Sequence, residues 1–464
     1  MLLSARLSFA AKHLFAHVFF YLIPRLLSGI LSRWPRRILS WWRLLPAPKD
    51  EREVTLIANS GDVHHLRQRF ALPAPNQPPM RYSSPLYNGH IETVLAGLRS
   101  GPAVRFEREL VEADGGQHVN MDFLYPPASP DMSAAAPAAK GKAPHAKGIF
   151  FVVPGLLNAS TTNYSRHFAD VAVRSGFAVC VLNYRGMGTT PLEVPRLFSA
   201  TFTADICYCL HHYLRPEQVQ SRLGTPEPVP LIAVGFSLGG VTLMKYLGEQ
   251  GVAAAERERK ESLPEGSVPP DTPVSALFTV TSPYDLIEAD KMCDTAAYRH
   301  LYEKPFAVGL RKYSHHNRAM LAQLPNVDAR WLFEGPSPGI NRISSIREFD
   351  VFINAGHNGF ASTREYYAAA QPFTWLARCR TPVLCIGDRN DVVAGLFVPD
   401  AQWRALVEQN PYVVYVCFPV GGHLGFVGGI TAEWRGEATE AERLVLKASS
   451  QYCRASAAAQ SKAK

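Results

Sequence analysis

What the chain lacks narrows it first. It carries eight cysteines, Cys180, Cys207, Cys209, Cys293, Cys379, Cys385, Cys417 and Cys453, but none of the spacings that hold zinc. Cys207 and Cys209 are separated by one residue, and Cys379 and Cys385 lie too far apart for a knuckle. Several sit in apolar, strand-like runs, which reads as buried, reduced thiols in a cytosolic setting. There is no G-x-x-x-x-G-K-[ST] loop and no dinucleotide fingerprint, so the common nucleotide-binding turns are set aside. No recognisable nucleic-acid module and no internal repeat is present. No acidic residue precedes Asp50, and no clean run of about 20 apolar residues occurs. These absences leave no metal, no organic cofactor and no nucleic acid to be expected, and nothing points to a specific protein partner.

What remains is a chain of 464 residues, 47% hydrophobic and 19% charged. That is enough for one large domain with a sizeable core, or for two. Part of its net charge of +8 comes from "RWPRR" at 33–37, a cluster suited to an anionic membrane surface. Residues 14–31, "LFAHVFFYLIPRLLSGIL", are apolar but broken by Pro24 and Arg25. Three readings of the segment 1–48 stand side by side. It is a single span or re-entrant anchor, or an interfacial amphipathic helix with Trp34, Trp41 and Trp42 at headgroup level. The third is a targeting sequence, although no A-x-A-like cleavage site stands out. If the segment spans, the arginines on its C-terminal side place the main domain in the cytosol. The endoplasmic reticulum is one membrane that fits.

Residues 86–100 read as a short helix. "RFERELVEA" and "HVNMDFLYP" read as two alternating strands around the turn "DGGQ". Residues 126–148 are a Pro/Ala/Lys-rich stretch expected to be a disordered surface loop. Beyond it, short apolar runs alternate with helix-length segments. The runs are "IFFVVPG" (149–155), "FAVCVLNY" (177–184), "VPLIAVG" (229–235), "VSALFTV" (274–280), "TPVLCIG" (381–387) and "YVVYVCF" (412–418). They do not alternate cleanly between apolar and polar, as befits strands buried on both faces. Helices are expected at 162–174, 201–214, 237–250 and 398–409. The pattern predicts an α/β class protein, a mostly parallel sheet flanked by helices, within residues 80–445. Residues 253–273 read as an exposed insertion, about 284–380 as a helical cap, and 446–464 as a flexible tail.

Gly235, Ser237 and Gly239 form G-x-S-x-G. The pattern is common enough by chance that context must carry it. Here it lies between a strand candidate and "LGGVTLMKYLGEQG", which can start a helix at once. Such a turn lifts the serine, and the helix N-terminus turns free N–H groups toward it, with Leu238 as a candidate oxyanion donor. A serine needs a base, and the base needs an orienting acid. His423 follows the last strand candidate in "PVGGHLGF". The loop "DRNDVV" after "TPVLCIG" offers Asp391, with room to reach the histidine, and Asp388 as the alternative acid. The second oxyanion donor is expected at Leu156 in "PGLLNAS", because Pro154 has no N–H to give. The order Ser237, Asp391, His423 is that of an α/β-hydrolase.

The pieces "SPLYNGHIETVLAG", "PGLLNASTTNY", "GFAVCVLNYRGMG", "AVGFSLGGVTLMKYLGEQG", "SPYDL", "GHNGFASTREYY" and "GGHLGF" go further. They run in order from about residue 80 to about 430. On them the chain resembles the membrane-associated α/β-hydrolase domain family, which includes two animal members, numbered one and three, plant embryogenesis-associated proteins, and bacterial and yeast relatives. The resemblance implies that Ser237 is the nucleophile and His423 the base. Asp391 matches the second aspartate of the family's D-D-P loop, with Asn390 and Val392 departing from it. Pro154-Gly155 stands where the family commonly has His-Gly. The family's N-terminal membrane anchor matches the apolar segment. "GHNGF" at 356–360 falls at the cap junction, where His357 holds the loop. The expected activity is carboxylic ester hydrolysis through an acyl-enzyme, on a lipid ester such as a monoacylglycerol or phospholipid. Two alternatives remain: transfer of the acyl group to an alcohol, and a non-catalytic membrane scaffold that keeps the fold.

Overall fold

In the computed structural model, the described residues are 52–463 apart from 83, 85–87, 100, 128–141, 260–270, 296–297, 396–397 and 428–435. The N-terminal segment 1–48 therefore lies outside the described residues, as does most of the loop at 126–148. Among the described residues, no helix is long and apolar enough to cross a membrane.

The strands are β1 (Thr55–Ile57), β2 (Glu107–Glu112), β3 (His118–Leu124), β4 (Ile149–Val153), β5 (Ala178–Asn183), β6 (Leu231–Phe236), β7 (Val274–Val280), β8 (Val383–Asp388) and β9 (Val413–Phe418). They form one sheet in the order β1-β9-β8-β7-β6-β4-β5-β3-β2. From β5 across to β9 every pairing is parallel, and β1, β2 and β3 pair antiparallel at the edges. The six apolar runs become the parallel strands. Alternate residues of a strand face opposite ways, and here each set meets its own core. Phe150, Val152, Val179, Val181, Ile232 and Val234 join one buried cluster. Phe151, Val153, Cys180, Leu182 and Ala233 join the other. With both faces covered, the sequence shows no polar alternation. Burial pushes the Cys180 thiol well up from its ordinary value, and all eight cysteines are free.

The longer helices are α1 (Gly89–Leu98), α2 (Asn163–Arg174), α3 (Ala204–Tyr213), α4 (Pro216–Leu223), α5 (Leu238–Glu258), α6 (Lys304–His316), α7 (Thr363–Ala370), α8 (Asp400–Gln409) and α9 (Glu440–Ala463). Helices α2 and α9 cover one face of the sheet, through Phe168, Val171, Leu444 and Val445. Helices α3, α4, α5 and α8 cover the other, through Ile206, Leu210, Val219, Leu243, Trp403 and Leu406. This three-layer arrangement is the α/β-hydrolase fold.

Three boundaries differ from the sequence reading. The segment from 446 is not a flexible tail but the larger part of α9. Ala441, Leu444, Val445, Ala448 and Tyr452 are buried at helical spacing, and the Tyr452 hydroxyl donates to the Ser275 carbonyl at 2.6 Å. Alanine-rich polar sequence at its end hid that stripe. Residues 253–258 do not belong to an insertion, because α5 runs through them to Glu258. Ala143 and Ala146 are buried at the end of the expected loop, so that part is packed.

Between β7 and β8, residues 286–376 are mostly short helices. They carry a core of their own, in which Leu310, Leu321, Leu332, Phe333, Ile340 and Ile353 pack with Leu197 from the loop after β5.

Candidate active site

Ser237 stands between β6 and α5, at φ 51° and ψ −120°. A positive φ is uncommon for a residue with a side chain and costs on the order of 1–3 kcal/mol, so the surroundings must hold it. They do: its N–H donates to the Val280 carbonyl of β7 at 3.0 Å. The turn closes only over a bare backbone. A Cβ added to Gly239 would lie 2.0 Å from the Val153 carbonyl oxygen. The tight packing of β4 against the start of α5 thus explains the second glycine of the motif.

His423 lies in the loop after β9. Its Nδ1 is 3.0 Å and 3.2 Å from the two carboxylate oxygens of Asp391. The pair is dry, with side chains 10% and 3% exposed. Asp391 Oδ1 also accepts the N–H groups of Val393 at 2.9 Å and Ala394 at 2.8 Å, which fixes the carboxylate in its turn. The structure separates the two candidate acids. Asp388, the last residue of β8, makes no hydrogen bond to His423. Its Oδ1 accepts the N–H of Asn390 at 2.7 Å and of Gly422 at 3.2 Å. Burial, followed by the neighbouring Asp391, raises its pKa well above the usual carboxylate value. Asp388 ties the two loops together, and Asp391 faces the histidine.

Ser237, His423, Leu156 and Leu238 all line one cavity of about 210 Å³. No hydrogen bond joins Ser237 Oγ to His423 among the described residues. In unliganded sites such bonds are often long and tighten with substrate. Leu238 opens α5, so its N–H has no partner within the helix. The loop after β4 is pinned on both sides of Leu156. The Tyr184 hydroxyl donates to the Pro154 carbonyl at 2.5 Å, and the Gly155 N–H donates to the Tyr164 oxygen at 2.8 Å. Asn158 Nδ2 donates to the Leu156 carbonyl at 2.9 Å. These bonds consume the neighbouring groups and leave the Leu156 N–H without an acceptor among the described residues.

One functional element went unassigned in the sequence. Helix α1, the core of "SPLYNGHIETVLAG", braces the histidine loop. The His423 N–H donates to Thr93 Oγ1 at 2.8 Å, and that hydroxyl donates to the Gly89 carbonyl at 2.7 Å. Glu92 Oε2 accepts the N–H of Val427 at 2.8 Å. A Cβ on Gly89 would fall 1.8 Å from the Asn390 carbonyl oxygen, so α1 also abuts the acid loop. The glycine at its start was the one visible signal.

The cavity has two characters. Leu156, Phe198, Leu238, Leu286, Phe306 and Leu424 give it an apolar side. Asp290, Arg347, Asp350, Asn354 and Tyr367 supply polar groups. Arg347 is already paired with Asp290 and Asp294, each at 2.8 Å. Asp350 accepts from Asn354 Nδ2 at 2.6 Å and from the Tyr367 hydroxyl at 2.8 Å. Burial raises its pKa to about 6 despite those bonds. His357 does not line the cavity. Its Nε2 accepts the Leu197 N–H at 3.1 Å. Burial, then Arg196 and Arg185, lowers its pKa to about 4, so it stays neutral and links the 355–357 helix to the loop after β5. Among the described residues, no group of three or more His, Cys, Asp or Glu is placed to hold a metal ion.

No protein-family model matches the chain. Three curated proteins are similar to it over much of its length. The embryogenesis-associated protein EMB8 of Picea glauca is 28% identical over 76% of this chain and 68% of its own. Phospholipase ABHD3 of Homo sapiens is 25% identical over 77% of this chain and 75% of its own. Medium-chain fatty acid ethyl ester synthase/esterase 2 of Saccharomyces cerevisiae is 30% identical over 61% of this chain and 59% of its own. Among solved structures, the Pyrococcus furiosus esterase Pf2001 matches with a TM-score of 0.41 at 9% identity, over 75% of this chain and 96% of that one. The curated relatives are α/β-hydrolase domain proteins, so the resemblance drawn from the motifs holds.

Proposed function

We propose that the chain is a carboxylic ester hydrolase that acts on lipid esters through Ser237, His423 and Asp391. The observation that carries this reading is the strained Ser237 turn opening on the same cavity as the buried His423–Asp391 pair. The names of the relatives, a phospholipase and an ester synthase/esterase, support the substrate class.

In this mechanism the imidazole Nε2 takes the proton of Ser237 as Oγ attacks the ester carbonyl. The N–H groups of Leu156 and Leu238 hold the oxyanion that develops. Asp391 keeps the proton on Nδ1, so that Nε2 is the free base, and stabilises the imidazolium once it forms. The imidazolium then hands its proton to the departing alcohol. Water, deprotonated by the same Nε2, attacks the acyl-enzyme and releases the acid. The apolar side of the cavity receives the acyl chain. Asp388 serves the loops, not the proton transfer.

A second reading, transfer of the acyl group to an alcohol, draws support from the yeast relative, whose name covers both synthesis and hydrolysis of an ester. The two share the acyl-enzyme and differ in which acceptor reaches it. Membrane association through the apolar stretch at 14–31 and its arginines, with the catalytic domain on the cytosolic side, belongs to the same proposal and rests on the sequence.

The test is labelling of the full chain in detergent by a fluorophosphonate probe, which reports an activated serine. Wild type should label, and Ser237→Ala and His423→Ala should not, with folding unchanged in both. An unlabelled, folded wild type would argue for the scaffold reading. A panel of monoacylglycerols and phospholipids, with and without alcohol acceptors, then separates the ester classes and the two reactions.

A further inference from the structure

The cap leaves unusual groups facing outward. Of the large apolar side chains exposed among the described residues, Leu301 (56%), Val308 (41%), Val351 (50%) and Phe352 (42%) all belong to it. Residues Arg299–Glu303 form a helical turn that leads into α6, and this stretch has two distinct faces. Tyr302, Ala307, Leu310 and Ser314 are buried. Phe306 and the preceding Tyr298 line the catalytic cavity. At Gly309 an added Cβ would lie 2.5 Å from Leu157 Cδ1, so the inner face sits on the loop that bears Leu156.

The outer face carries Arg299, Leu301, Lys304, Pro305, Val308 and Lys312, all exposed. Residues 301, 304, 305, 308 and 312 recur at helical spacing, one side of a helix. The one acidic residue of 299–316 is Glu303, which is buried at 7%, and the exposed Asp294 lies at the Arg299 end, where Arg299 Nη2 donates to its carbonyl at 2.8 Å. Among the described residues, neither Lys304 nor Lys312 has an ion-pair partner. Segment 350–354 repeats the construction, with Val351 and Phe352 exposed while Asp350 and Asn354 line the cavity.

We propose that this outer face of residues 299–312 docks on an anionic lipid surface. Apolar side chains flanked by unpaired cations match a bilayer with acidic headgroups, where each cation gains from the surface potential and the apolar groups enter the acyl boundary. One helix, roughly 10 Å across, separates that surface from the cavity. The face is distinct from the apolar segment at 14–31, and its docking does not depend on the hydrolytic chemistry.

The test reads contact rather than turnover. The full chain carries Ser237→Ala, so that lipid is not consumed. A fluorophore is attached at Val308→Cys, or for comparison at Leu110→Cys on edge strand β2, which is 57% exposed. Labelled protein without either substitution sets the background from the native cysteines. Vesicles of phosphatidylcholine, with or without phosphatidylserine, carry nitroxide on their acyl chains as quencher. The label at 308 should be quenched on phosphatidylserine vesicles and relieved by salt, while the label at 110 is not. Lys304→Gln with Lys312→Gln should weaken the contact roughly 30-fold, at about fivefold per cation. With Ser237 restored, that double variant should hydrolyse a water-soluble ester at the wild-type rate, which reports an intact fold. Three results overturn the proposal: vesicles that carry the chain with 308 unquenched, equal quenching at 308 and 110, or no binding to either vesicle. A fluorophosphonate failure would sink the hydrolase reading and leave this result standing.

Discussion

Thr93→Val separates a brace from a bystander. The substitution keeps the shape of the side chain and removes one oxygen. That oxygen accepts the His423 N–H at 2.8 Å and donates to the Gly89 carbonyl at 2.7 Å. The Gly89 carbonyl retains its helical partner, whereas the His423 N–H is left without an acceptor. An orphaned donor costs about 1–3 kcal/mol when fully buried; this one is half-buried, so the cost lies toward the lower end, and the loop escapes it by shifting. A shift on the order of 1 Å at a reacting group lowers rate about 100-fold. The expected result is a kcat for a water-soluble ester reduced roughly 10- to 100-fold, with KM little changed, because the acyl-binding wall is untouched. Thr93→Ser keeps the oxygen and should restore most of the rate. Urea unfolding of each variant, followed by circular dichroism, checks that the loss is not global. A folded Thr93→Val enzyme with wild-type kcat would refute the bracing role of α1.

Other consequences follow from the same geometry. Asp391→Asn should lower kcat by about 10,000-fold by presenting the wrong tautomer of His423, whereas Asp388→Asn should leave kcat near wild type, both read by steady-state kinetics. Asp388 and Asp350 have raised pKa values in the folded state, so each binds a proton more tightly folded than unfolded, and stability falls as pH rises between the two values. For Asp350 the window runs from about 4 to about 6 and is worth up to about 3 kcal/mol; thermal melts across it should show a fall that is reduced in Asp350→Asn. Gly239→Ala would put a Cβ 2.0 Å from the Val153 carbonyl oxygen, so soluble yield and fluorophosphonate labelling should both collapse.

Much of this was readable from the chain because the information is local. Each of the six apolar runs sits within a residue or two of a parallel strand, and their lack of alternation already reported two buried faces. Ser237 and His423 were visible because each follows a strand and each is set among glycines. The choice between Asp388 and Asp391 was not local. Two aspartates three residues apart look alike until the strand ends at Asp388 and the turn carries Asp391 to the histidine. Thr93 was beyond reach for a plainer reason, since its partner lies 330 residues away. Helix α9 was missed because its buried residues reach only to Cys453, and the alanine-rich polar sequence that follows hides the helical period. The polar wall of Asp350, Asn354 and Tyr367 exists only once the cap helices have packed against one another.

The most direct test of the central claim is to catch the acyl group on the protein. Full-length enzyme turning over a long-chain monoacylglycerol is quenched in acid, digested, and its peptides weighed. The account predicts an added acyl mass on the peptide that contains Ser237, absent in Ser237→Ala together with turnover. Turnover that persists in Ser237→Ala, with no acyl mass on that peptide in the wild type, would contradict it.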